Sequence, residues 1–236
     1  MRRIRPVFLL PVVLAMALAL TPKDIPFHEG SIAFIGDSLT LGADASTPSK
    51  DFASLLTDYI DNASGDQTRS SFLSFDPSTD AGAAAQAMQH NRRFVIIELG
   101  VHAVVDQSIS PDQFRQLYGS ILDCVTGGDT IVVAGTVPWL GWAALTPEYE
   151  RADLFSQIII QEAAKRQVAV ADLWSATRLR LNLISTPQDR TFLEGGLGDN
   201  FHPDDAGHAV IALMYDQAIA TELANPPKRS FQRQCH

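Results

Sequence analysis

The sequence predicts a three-layer α/β/α domain around a parallel sheet. Short apolar runs, Phe94–Leu99 and Thr130–Ala134 above all, are rich in Val and Ile and show little polar alternation. Strands covered on both faces read this way. Amphipathic helical patterns separate the runs. Connections are short, so strand and helix alternate as in an α/β unit.

In chain order, strands are expected at Ser31–Ile35, Ser71–Phe75, Phe94–Leu99, Thr130–Ala134 and Val168–Ala171. Asp51–Ile60 and Ala83–His90 read as short helices. The clearest helix start is Ser110-Pro111-Asp112-Gln113: Ser110 can cap, Pro111 suits the first turn, and Gln113 completes a capping box. Phe114, Leu117, Ile121, Leu122 and Val125 then recur on one face, and Gly127-Gly128 closes the element. Thr146-Pro147 opens another helix, with Leu154, Phe155 and Ile158 turned inward. A last helix runs from about Asp204 to Ala224 before Pro226-Pro227. No internal repeat or second domain is visible. Residues 20–225 read as one domain and residues 226–236 as a flexible tail.

Composition narrows the class. Charged residues make up 19% and hydrophobic ones 46%, the balance of a chain with a core. The net charge is −9 and no basic stripe is interleaved with aromatics, so nothing favours nucleic acid as a partner. Arg2, Arg3 and Arg5 precede an apolar run from Val7 to Leu20, and Ala17-Leu18-Ala19 places small residues where a signal peptidase needs them. Residues 1–19 thus read as a secretory signal peptide cut after Ala19. The mature chain is then secreted or periplasmic, with membrane contact only through this segment. The run is short for a membrane span, although an uncleaved anchor is the other reading. Cys124 and Cys235 could pair in an oxidising compartment, but spacing alone does not decide it.

The chemistry sits at two distant places. Gly36-Asp37-Ser38-Leu39-Thr40 follows the first strand, putting a hydroxyl at its carboxyl edge, where α/β sheets carry their sites. Asp199-Asn200-Phe201-His202 sets an acid three residues before a histidine, and Pro203 holds that histidine in a turn before the final helix. A serine is a weak nucleophile without a neighbouring base, and imidazole can take and return one proton near neutral pH. Ser38, His202 and Asp199 are therefore candidates for nucleophile, base and orienter.

These two blocks resemble the GDSL, or SGNH, hydrolases. The resemblance covers nearly all of the mature chain and implies a flavodoxin-like sheet of five parallel strands. It implies Ser38, His202 and Asp199 as the triad of a carboxylic ester hydrolase that needs no cofactor. Asp80-Ala81-Gly82-Ala83 matches the position of the family's second block, which implies that the Gly82 N–H points at the oxyanion beside the Ser38 N–H. The third block departs. The family has Gly-x-Asn-Asp, whereas this chain has Gly100-Val101-His102-Ala103. His102 stands where the amide donor should be, and a histidine nitrogen donates only in one tautomer or when protonated.

Carbohydrate O-acetyl, short acyl, lipid and thioester substrates all fit such a site. A binding protein weakened at the third block, and an acyltransferase acting on a sugar hydroxyl, are the rival functions. Trp139 and Trp142, after the fourth strand, could line a substrate pocket or pack under a loop. Asp37 reads as a brace for the serine turn, and His208 as a surface or packing residue. The G-x-S-x-G signature of another hydrolase fold is absent, as are nucleotide fingerprints and zinc-ligand pairs.

Overall fold

The computed structural model describes residues 32–64, 70–74, 92–142, 144–183 and 202–226. Five parallel strands form one sheet in the order β2-β1-β3-β4-β5. They are β1 (Ile32–Gly36), β2 (Ser70–Ser74), β3 (Phe94–Glu98), β4 (Ile131–Gly135) and β5 (Ala169–Ala171). Each lies within a residue or so of its expected place. Every residue of β1, β3 and β4 is buried, which is why these strands carry apolar side chains in succession rather than alternately. Burying each Val or Ile side chain contributes about 1.5–3 kcal/mol.

Six helices are described: α1 (Phe52–Ser64), α2 (Val101–Val105), α3 (Pro111–Val125), α4 (Pro147–Lys165), α5 (Leu173–Leu183) and α6 (Asp205–Ala224). α1 packs along α6, and α3 packs along α4. Phe52 joins the first pair to the sheet, edge-on to Phe34 at 6.1 Å and stacked on Tyr215 at 5.6 Å. The second pair is joined by Phe114 stacked on Phe155 at 4.4 Å. The capping box at Ser110 forms in full, the Gln113 N–H donating to Ser110 Oγ and the Ser110 N–H to Gln113 Oε1. The Thr146 hydroxyl caps α4 by accepting from the Tyr149 N–H.

Three readings change. Leu154, expected inward on α4, is 43% exposed, while Phe155 and Ile158 are buried. It lies one residue off the buried stripe, where a helix turns 100° per residue. α2 and α5 were not anticipated. α2 is only five residues long, and α5 begins immediately after β5, leaving no loop to announce it. Its start is nonetheless capped: Asp172 Oδ1 accepts from the Ser175 N–H at 3.0 Å. Cys124, fully buried, is disulfide-bonded, and the sequence holds one other cysteine, Cys235. The expected signal segment, the helix expected at Ala83–His90, Cys235 and the tail beyond residue 226 lie outside the described residues. No helix among the described residues is long and apolar enough to cross a membrane.

Candidate active site

β1 ends at Gly36 and the chain turns at once. The Leu39 N–H donates to Asp37 Oδ1 at 3.2 Å, closing an Asx turn around Ser38. The turn continues through Leu41 N–H to the Asp37 carbonyl and Ala43 N–H to the Ser38 carbonyl, and Gly42 takes the left-handed conformation this requires. Gly36 serves a different need. A Cβ there would run into the Thr40 side chain and the Glu98 carbonyl, so only glycine lets the turn fold down onto β3. Asp37 is thus the brace the sequence suggested.

His202 enters from the far end of the chain. Pro203 is buried behind it, and Asp204 caps α6 by accepting from the Ala206 and Gly207 N–H groups. The α6 start is tied to the loop after Ser38: the Ser46 N–H and hydroxyl, with Lys50 Nζ, all donate to the Asp205 carboxylate. Across 164 residues of sequence, His202 Nε2 comes within 2.8 Å of Ser38 Oγ. Both side chains are half-buried. From β1 the chain steps to β2 on one side and returns to β3 on the other, so the pair sits at the carboxyl edge where the strand order reverses. Such a crevice is where α/β sheets bind ligands. A hydroxyl this close to an imidazole can lose its proton as it attacks a carbonyl carbon.

A family model, the GDSL-like lipase/acylhydrolase family, matches residues 34–210. The chain belongs to the GDSL-like lipase/acylhydrolase family. It is accordingly an ester hydrolase of the GDSL type. Among solved structures, it is similar to a member of the lipolytic G-D-S-L family from Veillonella parvula, at 12% identity and TM-score 0.63, covering 82% of this chain and 99% of that one. An acetylxylan esterase from Geobacillus stearothermophilus gives 16% identity and TM-score 0.58 over 80% of this chain and 95% of that one. A two-domain esterase active on acetylated mannans gives 19% identity and TM-score 0.61, covering 85% of this chain but 52% of that one. At these identities the likeness shows the shared fold. No curated protein sequence matches.

Within the GDSL frame, the third block follows β3. Gly100, with φ +135°, leads into α2, and a Cβ there would come within 2.7 Å of Val137. His102 is the second residue of α2. Its side chain is exposed, while its backbone N–H reaches Asp37 Oδ2 at 3.4 Å. Ala103 is buried. Trp139 and Trp142 pack against the core, and Trp139 Nε1–H donates to the Trp142 carbonyl at 2.7 Å. Asp199 and Gly82 lie outside the described residues, so their places are those of the GDSL motif alone.

His208 is buried completely, which removes the surface alternative. The Phe52 N–H can only donate, so His208 Nδ1 accepts from it at 3.2 Å, and Nε2 carries the proton that goes to the Ala43 carbonyl at 3.0 Å. The ring therefore ties the serine-bearing loop to α1 and α6 only while neutral. Burial, partly opposed by the Ala43 carbonyl and by Asp51, Asp205 and Asp204, lowers its pKa below the ordinary 6.5. The unfolded chain then binds this proton more readily than the native one. Stability from His208 is present above the unfolded value and lost as pH falls through the depressed folded value. In thermal melts, His208→Gln should lower Tm at mildly alkaline pH and flatten the fall in Tm on acidification. A variant that loses Tm as steeply as the parent would exclude this role.

Proposed function

We propose that the chain is an exported serine hydrolase that cleaves carboxylic esters through Ser38, His202 and Asp199. The 2.8 Å approach of His202 Nε2 to Ser38 Oγ carries the reading. Ser38 Oγ attacks the ester carbonyl carbon while Nε2 takes its proton. The tetrahedral oxyanion is met by the Ser38 and Gly82 N–H groups and by the His102 ring in place of the family's asparagine. His202 returns the proton to the departing alcohol. Water then attacks the acyl-enzyme by the same route, and Asp199 keeps the ring in its working tautomer throughout.

A fluorophosphonate probe tests the reading directly. It should label Ser38, and labelling should vanish in Ser38→Ala and His202→Ala. A folded but unlabelled protein would support a binding role instead, to which the loss of both polar residues at positions 102 and 103 points. His102 has its own test. His102→Asn should keep or raise turnover, and His102→Ala should lower it by about 10²-fold, the usual cost of a lost oxyanion donor. Equal rates for all three proteins would take the ring out of the mechanism.

Carbohydrate O-acetyl esters are the first substrates to try, because structural neighbours include an acetylxylan esterase and an esterase active on acetylated mannans. An ester panel varying acyl length and alcohol, with Ser38→Ala as the blank, would rank the classes. Adding sugar acceptors would reveal acyl transfer. Export follows from Arg2, Arg3, Arg5 and the Ala17-Leu18-Ala19 segment, and N-terminal sequencing of the secreted protein should begin at Leu20.

A further inference from the structure

Glu98 ends β3, paired in register with Gly36 of β1, one residue before the Asp37 brace. It is 1% exposed, in a strand otherwise made of Phe, Val and Ile. Among the described residues its carboxyl oxygens accept from no backbone N–H and no cation, and the Thr40 hydroxyl is a neutral neighbour. Glu162, a carboxylate nearer the surface, shows how such a group is held in its charged form. Arg115, Lys165 and Arg166 all donate to it, at 3.0, 2.6 and 2.8 Å. Burial alone would raise its pKa, but those three cations hold it down to about 2. Among the described residues, Glu98 has no cation beside it.

Its polar neighbours come from four directions. Asp37 and Thr40 belong to the serine turn; the phenols of Tyr118 on α3 and Tyr215 on α6 also face it. The Tyr215 hydroxyl donates to the Ile97 carbonyl at 2.9 Å. His102, on α2, faces the pair through Asp37. Glu98 and Asp37 are both acceptors when ionised, so they satisfy each other only with a proton between them. The proton's place is decided by the other bonds. Asp37 accepts from the Leu39 and His102 N–H groups, which favour its charged form, whereas Glu98 accepts from no backbone N–H among the described residues.

We propose that Glu98 is a positioning residue, a neutral carboxylic acid that donates to the Asp37 carboxylate and so pins the Ser38 turn to the start of α2. The bond joins the first and third GDSL blocks beneath the nucleophile, and it depends on one proton. Burial, then the charge of Asp37, push Glu98 well above the usual carboxylate range. Asp37 is raised too, by burial. The pair titrates as a unit. When the proton leaves as pH rises, two buried charges face each other and the turn separates from α2. Folded Glu98 holds its proton more tightly than unfolded Glu98, so its burial costs stability increasingly as pH rises above the unfolded value of 4.5.

The inference rests on the reading of Ser38 as nucleophile, and its test keeps the two apart. The first measurement needs no catalysis: the infrared spectrum of the folded protein at neutral pH should show a protonated-carboxyl carbonyl band that disappears in Glu98→Gln. The second is the rate of fluorophosphonate labelling across pH. Glu98→Gln keeps a donor toward Asp37 but cannot titrate, so it should label within about threefold of the parent at neutral pH and lose the alkaline fall. Glu98→Ala removes the donor and should label about 10²-fold more slowly, the scale of a misplaced nucleophile. Should Glu98→Ala fail to fold, the infrared band and the Glu98→Gln profile still decide the matter. Absence of the band, or an unchanged alkaline fall in Glu98→Gln, overturns the role of Glu98 and leaves Ser38 untouched. A band with no labelling of the parent overturns the nucleophile instead.

Discussion

Replacing Ser38 with alanine should reduce kcat for an activated acetyl ester by roughly four to six orders of magnitude, with KM little changed. The size of the effect follows from what is removed. Alanine leaves the turn intact, since Asp37 still accepts from the Leu39 N–H and the Ser38 position contributes its backbone as before. Substrate binding is therefore preserved. The covalent route is lost outright, because the hydroxyl beside His202 Nε2 that would carry the acyl group is gone. Residual rate would come from oxyanion donors acting on water. His202→Ala should cost a similar amount, and the double variant little more than either single one, if serine and imidazole act as one unit. Strict additivity in steady-state kinetics would mean that the two side chains do not share a step.

Arg151→Lys should lower unfolding free energy by about 2–4 kcal/mol in urea titration. The Arg151 guanidinium donates to four carbonyls, those of Ala103 at 2.6 Å, Val104 at 3.1 Å, Asp106 at 3.2 Å and Ile109 at 2.9 Å. It also lies 4.8 Å over the Phe155 ring. These carbonyls belong to the end of α2 and the loop leading to α3, where helical partners run out. A planar fork can serve several acceptors at once. An ammonium is a single point that cannot span them, so lysine keeps the charge and loses the clamp. Because α2 carries His102, turnover should fall along with stability. Loss of no more than about 0.5 kcal/mol, the level of an ordinary surface change, would show the clamp to be dispensable.

Much of the fold was readable along the chain. β1, β3 and β4 are covered on both faces, so their apolar runs leave an unbroken mark on the sequence. The Ser110 box and the Thr146 cap are local hydrogen bonds within four residues, and residue type alone can announce them. α5 leaves no mark on the sequence because its start abuts β5, and Leu154 is exposed where the pattern places it inward because one position on a helix is a small step along the chain and a large rotation in space.

At the site, Gly36 through Leu39 marked the family, and Asp37 could be read as a brace from its place before the serine. Glu98 had a visible signal, a lone acid closing a strand of Phe, Val and Ile, yet nothing in the order of residues says which acid it will face. His208 resembled any histidine on a helix until α6 closed over the serine loop.

By itself the sequence determined the layered α/β class, the helix starts and the GDSL family, because period, capping and a local turn motif operate over a few neighbouring residues. Tertiary structure alone decided that Ser38 meets His202, that Glu98 lies against Asp37, and that Arg151 gathers four carbonyls from another element. Those meetings join residues far apart in the chain, and packing of the sheet and its helices determines which of them touch.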